Sequence, residues 1–419
     1  MNLYTIIKEL QSASGSNAKT AILQANKDNE LLKAYLKAVY DPSLSYYQTK
    51  IDKSKGWDLD WTDYFEIDGV WKCDFNSVLE DVKTLANREV TGDRAKEYLS
   101  DLYSSISPES KELLELLIKR SVGAGVGDTM ILNVFPELYF IPPYQRCSLM
   151  DDKIKDKFDK LDSFIVQRKE DGSFAYLVKE AGKAAELITR AGSRYPTDFA
   201  SALAVGLPDN YVIIGELLVE ENGEELDRKT GNGILNSILK GGDFEDDLKF
   251  KLSAWDCITP TELKLGKSAT PYKQRMSNLE WVWKDIVPTY NVKSLKEAYA
   301  IYSKFTADGK EGAVLKTNNF LWANGTSKDC IKLKIEFECD LKVIGMTEGT
   351  GKAAGMMGSL TVASSDRVLV SDLGTGFSDE QRKAWWEMYS PETIGDYGIY
   401  VTVKANDIIS KRDSKIASL

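Results

Sequence analysis

Apolar residues recur at helical spacing through the first third of the chain. In NKDNELLKAYLKAVY they share one helix face: Leu31, Leu32, Tyr35, Leu36 and Val39. A second run, SPESKELLELLIKR, opens with a Ser-Pro pair typical of a helix start and stops at the glycines of SVGAGVG. The two prolines of FIPPYQRC then indicate a linker. This pattern predicts an all-α region over residues 1–145.

The spacing changes after the linker. DSFIVQRKEDG and NYVIIGELLVE have the short, β-branched apolar runs of buried strands. Helical segments interrupt them at GNGILNSILKGG and SLKEAYAIYSKF. Strands mixed with helices in this way are typical of an α+β domain, which we place at residues 146–336.

The last part of the chain is dominated by short strands separated by turns. The segments ECDLKVIGMTEG, GSLTVASS, RVLVSDLG and YGIYVTVKAND show this pattern. It favours a small antiparallel β-barrel of the OB type over residues 337–419. The predicted fold class is therefore multidomain: an all-α domain, an α+β domain and a C-terminal OB-fold.

Composition narrows the class of protein. A chain of 419 residues allows two to four domains at roughly 100–200 residues each. No apolar run is long enough to span a bilayer, and the N-terminus lacks the pattern of a signal peptide, so we expect a cytoplasmic protein without a membrane partner. The five cysteines are scattered and form no CxxC pair, which argues against a zinc site and a disulfide framework. We expect reduced, mostly buried thiols.

The chain contains no histidine, which excludes Ser-His and Cys-His nucleophile pairs, imidazole bases and histidine metal sites. Its chemistry must come from Lys, Arg, Asp, Glu, Tyr or a bound metal. The net charge of −10 argues weakly against a nucleic-acid partner. Global charge is a poor guide, however, because phosphate contacts act within about a Debye length.

Charged residues and one tryptophan stand at ordered positions in the strands and turns of the middle region. Lys169 opens the turn Lys-Glu-Asp-Gly, and Arg190 follows in a second turn. The others are Glu216, Trp255, Glu311, Lys316, Lys332 and Lys334. Each alone has a plain explanation: a turn, an edge residue, a core aromatic or a solvated face. A charge in an apolar strand is costly unless it is paired or binds something, so the whole series indicates a site.

Together these motifs resemble those of the covalent nucleotidyltransferase superfamily, which contains DNA ligases, RNA ligases and capping enzymes. Within this superfamily the closer resemblance is to DNA ligases of the T-even phage type. NKDNELLKAYLKAVY and REVTGDRAKEYL resemble that family's helical DNA-binding domain. RKTGNGILNSILKG, DGKEGAVLK, LWANGTSKDCIKLK and DLKVIG resemble its catalytic segments.

The resemblance implies an ATP-dependent DNA ligase in which Lys169 becomes attached to AMP. It also implies that AMP then passes to the 5′-phosphate of a nick, and that the 3′-hydroxyl displaces it. Lys332 and Lys334 would bind the α-phosphate as further catalytic residues, and Glu216 and Glu311 would bind Mg²⁺, a cation that prefers carboxylate and water oxygens.

The predicted nucleotide-binding residues are Gln167, Arg190, Glu216, Trp255 and Lys316. Gln167 lies two residues before Lys169 on the same strand face, where its amide can pair with an adenine edge. Trp255 is either a stacking partner for adenine or an ordinary core aromatic. Arg190 matches the family's basic residue near the nick phosphate.

The implied partner is nicked double-stranded DNA, held by contacts to phosphates without a base code, and we expect a monomer. An RNA ligase or capping-type enzyme is an alternative, although capping needs no long helical region. A non-catalytic DNA-binding protein with a relic ligase fold is another. The full set of lysines and glutamates argues against it.

The sequence departs from the family at two places. Phe174 stands two residues past Gly172, where the family has an arginine, and Arg194 is a candidate replacement. The family also ends in a basic motif that orients the pyrophosphate of ATP. This sequence stops at KRDSKIASL, where Lys411, Arg412 and Lys415 are basic but do not form that motif. Either the sequence stops short of the natural C-terminus or the protein handles ATP differently. We favour the first and expect the OB-fold to be incomplete at its C-terminus.

Overall fold

The computed structural model describes residues 2–53, 75–242, 247–334, 337–405, 409–410 and 417–418. The chain divides into two compact units. The first unit comprises Met1–Leu295 with Leu315–Ile331, and the second comprises Lys296–Val314 with Lys332–Leu419. Cys73, one of the five cysteines, lies outside the described residues, as do Lys411, Arg412 and Lys415. In the ranges that the structure describes, no helix combines the length and the apolar character needed to cross a membrane.

The N-terminal region is helical, as its sequence predicts. Its helices are α1 (Leu3–Ser12), α2 (Ser16–Ala25), α3 (Glu30–Tyr40), α4 (Phe75–Ala86), α5 (Gly92–Ser104), α6 (Pro108–Ile118) and α7 (Asp128–Val134). The predicted face of α3 is buried except for Leu31, which is half-buried. The hydroxyl of Ser107 accepts a hydrogen bond from the Ser110 amide and so caps the start of α6. All seven helices contribute to one apolar core.

The middle region alternates strands and helices. In chain order its elements are β1 (Gln145–Leu149), α8 (Asp152–Phe158), β2 (Phe164–Lys169), β3 (Ser173–Lys179), β4 (Glu186–Thr189), α9 (Thr197–Leu203), β5 (Tyr211–Glu221), β6 (Glu224–Glu225), α10 (Arg228–Leu239), β7 (Leu248–Ile258), α11 (Pro260–Leu265), β8 (Lys267–Pro271), α12 (Tyr272–Val282), β9 (Thr289–Val292), α13 (Leu295–Ala307), β10 (Gly312–Thr317), β11 (Leu321–Ala323) and β12 (Gly325–Lys334).

Two larger sheets organise this region. One has the strand order β1–β12–β10–β2–β9, and the other has the order β4–β3–β5–β6 with β7 also paired to β5. The turn between β2 and β3 connects the two sheets, so residues just after β2 lie where the sheets meet. In the second sheet Phe174 pairs with Glu216 across β3 and β5, and Glu216 pairs with Ser253 across β5 and β7.

The second unit contains an antiparallel sheet in the order β15–β14–β13–β16. Its elements are β13 (Phe337–Glu348), β14 (Met357–Ala363), β15 (Val370–Leu373), α14 (Asp379–Met388), β16 (Tyr400–Ala405), β17 (Ile409–Ser410) and β18 (Ala417–Ser418). The four predicted strand segments are confirmed, but the sequence pattern missed α14, which starts with a capping box at Ser378 and Gln381. Half-buried Trp385 and Trp386 pack α14 on the core of this sheet.

The all-α, α+β and β character of the three regions thus follows the prediction. The proposed boundaries at residues 1–145, 146–336 and 337–419 stay a prediction.

Candidate active site

Lys169 is the last residue of β2 and stands at the entrance to a tight turn. Its Nζ lies 3.5 Å from the backbone oxygen of Glu170. The turn can close only with glycine at position 172, because a Cβ there would meet the backbone oxygen of Leu217 at 2.5 Å. The close approach of this turn to β5 therefore fixes the position of the Lys169 backbone, from which the amine extends.

The residues on either side of Lys169 are bonded to each other. Arg168 donates to the Oε1 atom of Glu170 through Nε at 3.0 Å and Nη2 at 2.7 Å. The Ser253 hydroxyl, on β7, donates to the same oxygen at 3.0 Å. Glu170 is only 5% exposed, so its charge depends on these donors. The sequence did not reveal this role, because an acidic residue in a turn is normally solvated.

Gln167 is buried in the middle of the same strand. Its Nε2 donates to the Thr289 hydroxyl at 3.0 Å, across the β2–β9 pairing. Its Oε1 has no hydrogen-bond partner in the part of the chain that the structure describes. A buried carbonyl oxygen without a donor is costly, and an exocyclic amine of a ligand would satisfy it.

Lys316 is fully enclosed beside Tyr272 and Trp255. Its Nζ donates to the Tyr272 hydroxyl at 3.2 Å and to the Trp255 backbone oxygen at 3.3 Å, and lies 4.4 Å from the Tyr272 ring centroid. Burial lowers the pKa of this ammonium from its ordinary value. Through these contacts Lys316 holds the backbone of β7 next to α12.

The residue after Trp255 reinforces the same junction. Asp256 receives two hydrogen bonds from Arg275, from Nε at 2.8 Å and from Nη2 at 2.9 Å, and both side chains are buried. This bidentate arginine–carboxylate pair has a well-defined geometry. It anchors the strand that carries Trp255, whose half-buried ring packs 5.9 Å from Phe174.

Arg190 belongs to a stack of aromatic rings. Its guanidinium lies 4.1 Å from the centroid of Tyr144, whose ring meets Phe174 edge-on at 4.8 Å. Burial raises the pKa of the Tyr144 hydroxyl; Arg190 opposes this and Glu216 adds to it, so both charges lie near that hydroxyl. The sequence placed Tyr144 in a linker and so missed it.

Phe174 therefore fills the position of the family's arginine with an aromatic contact to Tyr144. The candidate replacement, Arg194, donates to Glu186 at 2.8 Å at the edge of the sheet. Its charge is thus already matched by a neighbouring carboxylate.

The second unit contains the remaining predicted residues. The Nζ of Lys334 lies 2.7 Å from Glu311, and Lys332 is half-buried two residues earlier on β12. Gly312 has φ +148°, and a Cβ there would meet the Leu333 backbone oxygen at 2.2 Å. Only glycine lets β10 run this close to β12, which explains why a glycine follows Glu311.

The first unit thus connects most of the predicted site through direct contacts. From Gln167 on β2, they run through the Met276 sulfur to Tyr272, Lys316 and Trp255. From Trp255 they continue to Phe174, Tyr144 and Arg190, with Glu216 opposite Phe174. Lys169 stands two residues after Gln167 on the same strand. No group of three or more His, Cys, Asp or Glu side chains suited to a metal ion occurs among the residues that the structure describes. The buried acceptor is Gln167 and the amine is Lys169, and the rings of Tyr144, Phe174 and Trp255 form an aromatic wall. These groups suit a purine nucleotide and its phosphates.

Comparison with known proteins supports this chemistry. Residues 145–334 match the family model described as "ATP dependent DNA ligase domain", and residues 348–418 match "DNA ligase OB-like domain". The chain is 28% identical over 385 residues to the DNA ligase of Enterobacteria phage T4, covering 81% of this chain and 77% of that protein, and equally similar to that of phage T6. A DNA ligase of Thermococcus onnurineus is 30% identical over 152 residues, which is 33% of this chain and 27% of that one.

The fold also has a counterpart among solved structures. The structure named Pmar-Lig_PreS3 superposes with a TM-score of 0.62 at 18% identity, covering 100% of this chain and 97% of that one. At this identity the likeness concerns the fold alone.

Proposed function

The chain belongs to the ATP-dependent DNA ligases, and from that premise we propose that Lys169 is the lysine that carries AMP. Members of this family seal nicks in DNA through an adenylate intermediate. The present chain is accordingly an enzyme that forms phosphodiester bonds at the expense of ATP. What we add is the assignment of its individual residues.

The observation that carries this assignment is that Gln167 and Lys169 lie two residues apart on β2. Residues two apart on a strand point to the same side. The orphaned oxygen of Gln167 fits the 6-amino group of adenine, whereas the 6-oxygen of guanine would face it as a second acceptor. A base held in this way places the rest of the nucleotide on the side of the strand from which the Lys169 amine projects.

The reaction has three steps in this proposal, and the first two involve Lys169. Its amine attacks the α-phosphorus of ATP, and the bond to pyrophosphate breaks as the nitrogen–phosphorus bond forms. An oxygen of the 5′-phosphate at the nick then attacks the phosphorus of AMP, and the bond from that phosphorus to the Lys169 nitrogen breaks. The 3′-hydroxyl finally attacks that phosphate and AMP leaves. The bonded pair of Arg168 and Glu170 holds the turn around Lys169 in one conformation throughout.

The aromatic wall orients the nucleotide and the nick. Trp255 offers a half-buried ring beside Phe174 for stacking on the base. Arg190, held over Tyr144, provides a cation for a phosphate while its stem stays fixed. Lys316 acts indirectly. Its ammonium donates hydrogen bonds to Tyr272 and to the backbone of Trp255, and so fixes the strand that carries Trp255.

We further assign Lys332 and Lys334 to the charge that develops on the phosphates. Glu216 and Glu311 are the proposed Mg²⁺ ligands, because carboxylates supply the hard oxygen atoms that this ion prefers. Mg²⁺, when bound, would neutralise phosphate charge. Glu311 is paired with Lys334 at 2.7 Å, so metal binding at this carboxylate would compete with that ion pair.

The proposed substrate is nicked double-stranded DNA, bound by a monomer in the cytoplasm of the host cell. The helices of the N-terminal region share a core of their own, which supports one module over residues 1–145. We assign DNA binding to this module from its resemblance to the family's helical domain. Such a module would contact phosphates, which carry no sequence information.

The proposal is tested by separating the first step from the last. The variant Lys169→Ala should fail to seal a nick with ATP, yet seal a nick whose 5′ end already carries AMP. Loss of both activities, with DNA binding intact, would show that Lys169 is needed for more than AMP attachment. Sealing with ATP at a tenth of the wild-type rate would refute the assignment.

A further inference from the structure

The fold brings together two cysteines that are 183 positions apart. Cys147 lies on β1 and Cys330 on β12, which are neighbours in the first sheet, and their sulfur atoms are 3.0 Å apart. Cys330 is buried and Cys147 is half-buried. The expectation of scattered thiols is therefore incomplete, because the sequence gives no sign of this pairing.

Another described thiol has a different environment. The Sγ of Cys257 donates to the backbone oxygen of Arg275 at 3.2 Å. It is buried in the same unit, which makes it a matched control for any effect of the Cys147–Cys330 pair.

The pair lies next to the predicted nucleotide site. Cys330 lies on β12, the neighbour of β10, which carries Lys316. The Thr317 hydroxyl donates to Asp329 at 2.9 Å across these two strands. Lys316 is bonded in turn to Tyr272 and Trp255. The hydrogen bond with Cys147, together with burial, raises the pKa of the Cys330 thiol well above its ordinary value. Cys330 thus stays protonated at neutral pH, and the more accessible Cys147 is the thiol that meets a reagent first.

We propose that Cys147 and Cys330 are a reversible oxidation site, and that the disulfide between them slows adenylation by linking β1 to β12, the strand next to the one that carries Lys316. The oxidant is a small-molecule disulfide of the glutathione class. The slowing of adenylation rests on the function proposed above, whereas formation of the bond does not.

The exchange proceeds in two balanced steps. The Cys147 thiolate attacks one sulfur of oxidised glutathione, the glutathione S–S bond breaks, and one glutathione leaves as a thiol after taking up a proton. Cys330 loses its proton and attacks the Cys147 sulfur of the mixed disulfide, which releases the second glutathione. The protein has then lost two protons and two electrons, and one glutathione disulfide has become two thiols.

We expect the bond to draw β1 and β12 together beside β10, the strand that carries Lys316. Sulfurs in a disulfide lie about 2.05 Å apart, so the present contact must shorten by about 1 Å. A displacement of about 1 Å near a reacting centre can cost about a hundredfold in rate. The bond also closes a long loop of chain, which restricts the unfolded state and raises the melting temperature.

The test compares the full chain with Cys147→Ser, Cys330→Ser and the control Cys257→Ser. Each protein is incubated with oxidised glutathione, its remaining thiols are alkylated, and its peptides are mapped by mass spectrometry without reduction. Wild type and Cys257→Ser should yield a linked peptide containing Cys147 and Cys330, which dithiothreitol removes. Each other variant should yield no such peptide.

The functional readout is the ratio of adenylation rates before and after oxidation of the same protein. This ratio should be tenfold or more for wild type and Cys257→Ser, and close to one for the other two variants. Oxidised wild type should also melt several degrees higher than the reduced protein. Absence of the linked peptide, or linkage through Cys73 instead, overturns the site. If the disulfide-linked protein adenylates as fast as the protein with free thiols, the regulatory effect is overturned. If the reduced protein does not adenylate at all, the proposed function fails while peptide mapping still decides the oxidation site.

Discussion

Arg168 donates two hydrogen bonds to a single carboxylate oxygen of Glu170, at 3.0 and 2.7 Å, across the residue that separates them, Lys169. The Ser253 hydroxyl donates to the same oxygen. A carboxylate with three such bonds cannot rotate without breaking them. The nucleophile therefore starts from a fixed turn, and Glu170 acts on the reaction through the position of Lys169.

We predict that Glu170→Gln destabilises the first unit and slows adenylation. The amide keeps the shape but loses the charge, and hydrogen bonds to a charged group contribute about 1.5–3 kcal/mol. Urea unfolding should show a loss of roughly that size, and single-turnover adenylation of the folded variant should be about tenfold slower at saturating ATP.

The matched control is Glu30→Gln, which removes one charge from the exposed Lys33–Glu30 pair in α3. Exposed pairs contribute little to stability, so this variant should behave as wild type. If Glu170→Gln is as stable and as active as Glu30→Gln, the positioning role is wrong.

We predict that Gln167→Ala lowers the preference for ATP over GTP by at least tenfold. The variant removes the buried oxygen that accepts from adenine and that would oppose guanine. A site built to bond one polar group discriminates strongly against a ligand that lacks it. The measurement is kcat/KM for adenylation with each nucleotide.

Gln274→Ala is the control for this change, since Gln274 is exposed on α12 and bonded only to Asn278 in the contacts described. It should retain the wild-type ratio. An unchanged ratio in Gln167→Ala would place the base elsewhere.

The sequence predicted the helices and strands well where the apolar spacing is regular, as in α3, α6 and β5. It also placed Lys169 correctly at a strand-to-turn junction, because Lys-Glu-Asp-Gly follows an apolar run. It missed α14, whose amphipathic segment is short and lies among strands. The elements with regular apolar spacing could be predicted because the hydrogen bonds and contacts that define them are close in sequence.

Contacts between distant segments could not be predicted in this way. Nothing in a pattern of single residues relates Cys147 to Cys330, or Glu170 to Ser253, since sheet order brings each pair together. Tyr144 was assigned to a linker on account of two neighbouring prolines, yet its ring supports Arg190. Aromatic residues that end a linker can thus belong to the site that follows.

We predict that Glu216→Ala and Glu311→Ala each slow metal-dependent adenylation by about a hundredfold, the usual effect of removing one charge-stabilising group. Higher Mg²⁺ should restore part of the rate, because weaker metal binding is offset by concentration. The experiment is a Mg²⁺ titration of adenylation for both variants.

Glu220→Ala serves as the control on β5, where Glu220 faces Lys251 at 3.5 Å. It should leave the Mg²⁺ dependence unchanged. Near-normal rates at low Mg²⁺ in both Glu216→Ala and Glu311→Ala would exclude a metal role for these carboxylates.

We predict that residues 1–145 fold as a separate helical module and bind DNA without reading its sequence. Binding through phosphates releases counterions, so affinity should fall steeply with salt, with a log–log slope of about 0.9 for each phosphate contacted. Fluorescence anisotropy with two nicked duplexes of unrelated sequence provides the measurement. Affinity that ignores salt, or that differs strongly between the duplexes, would contradict the prediction.

The most direct measurement of the central claim follows one labelled phosphate. The full chain is mixed with Mg²⁺ and ATP labelled at the α-phosphate. One portion is digested and its peptides are mapped, and nicked DNA is added to the other. We predict that the label becomes covalently attached to Lys169, moves to the 5′-phosphate of the nick, and is released as AMP when the nick closes. Label on another residue, or label on Lys169 that nicked DNA does not remove, would contradict the account.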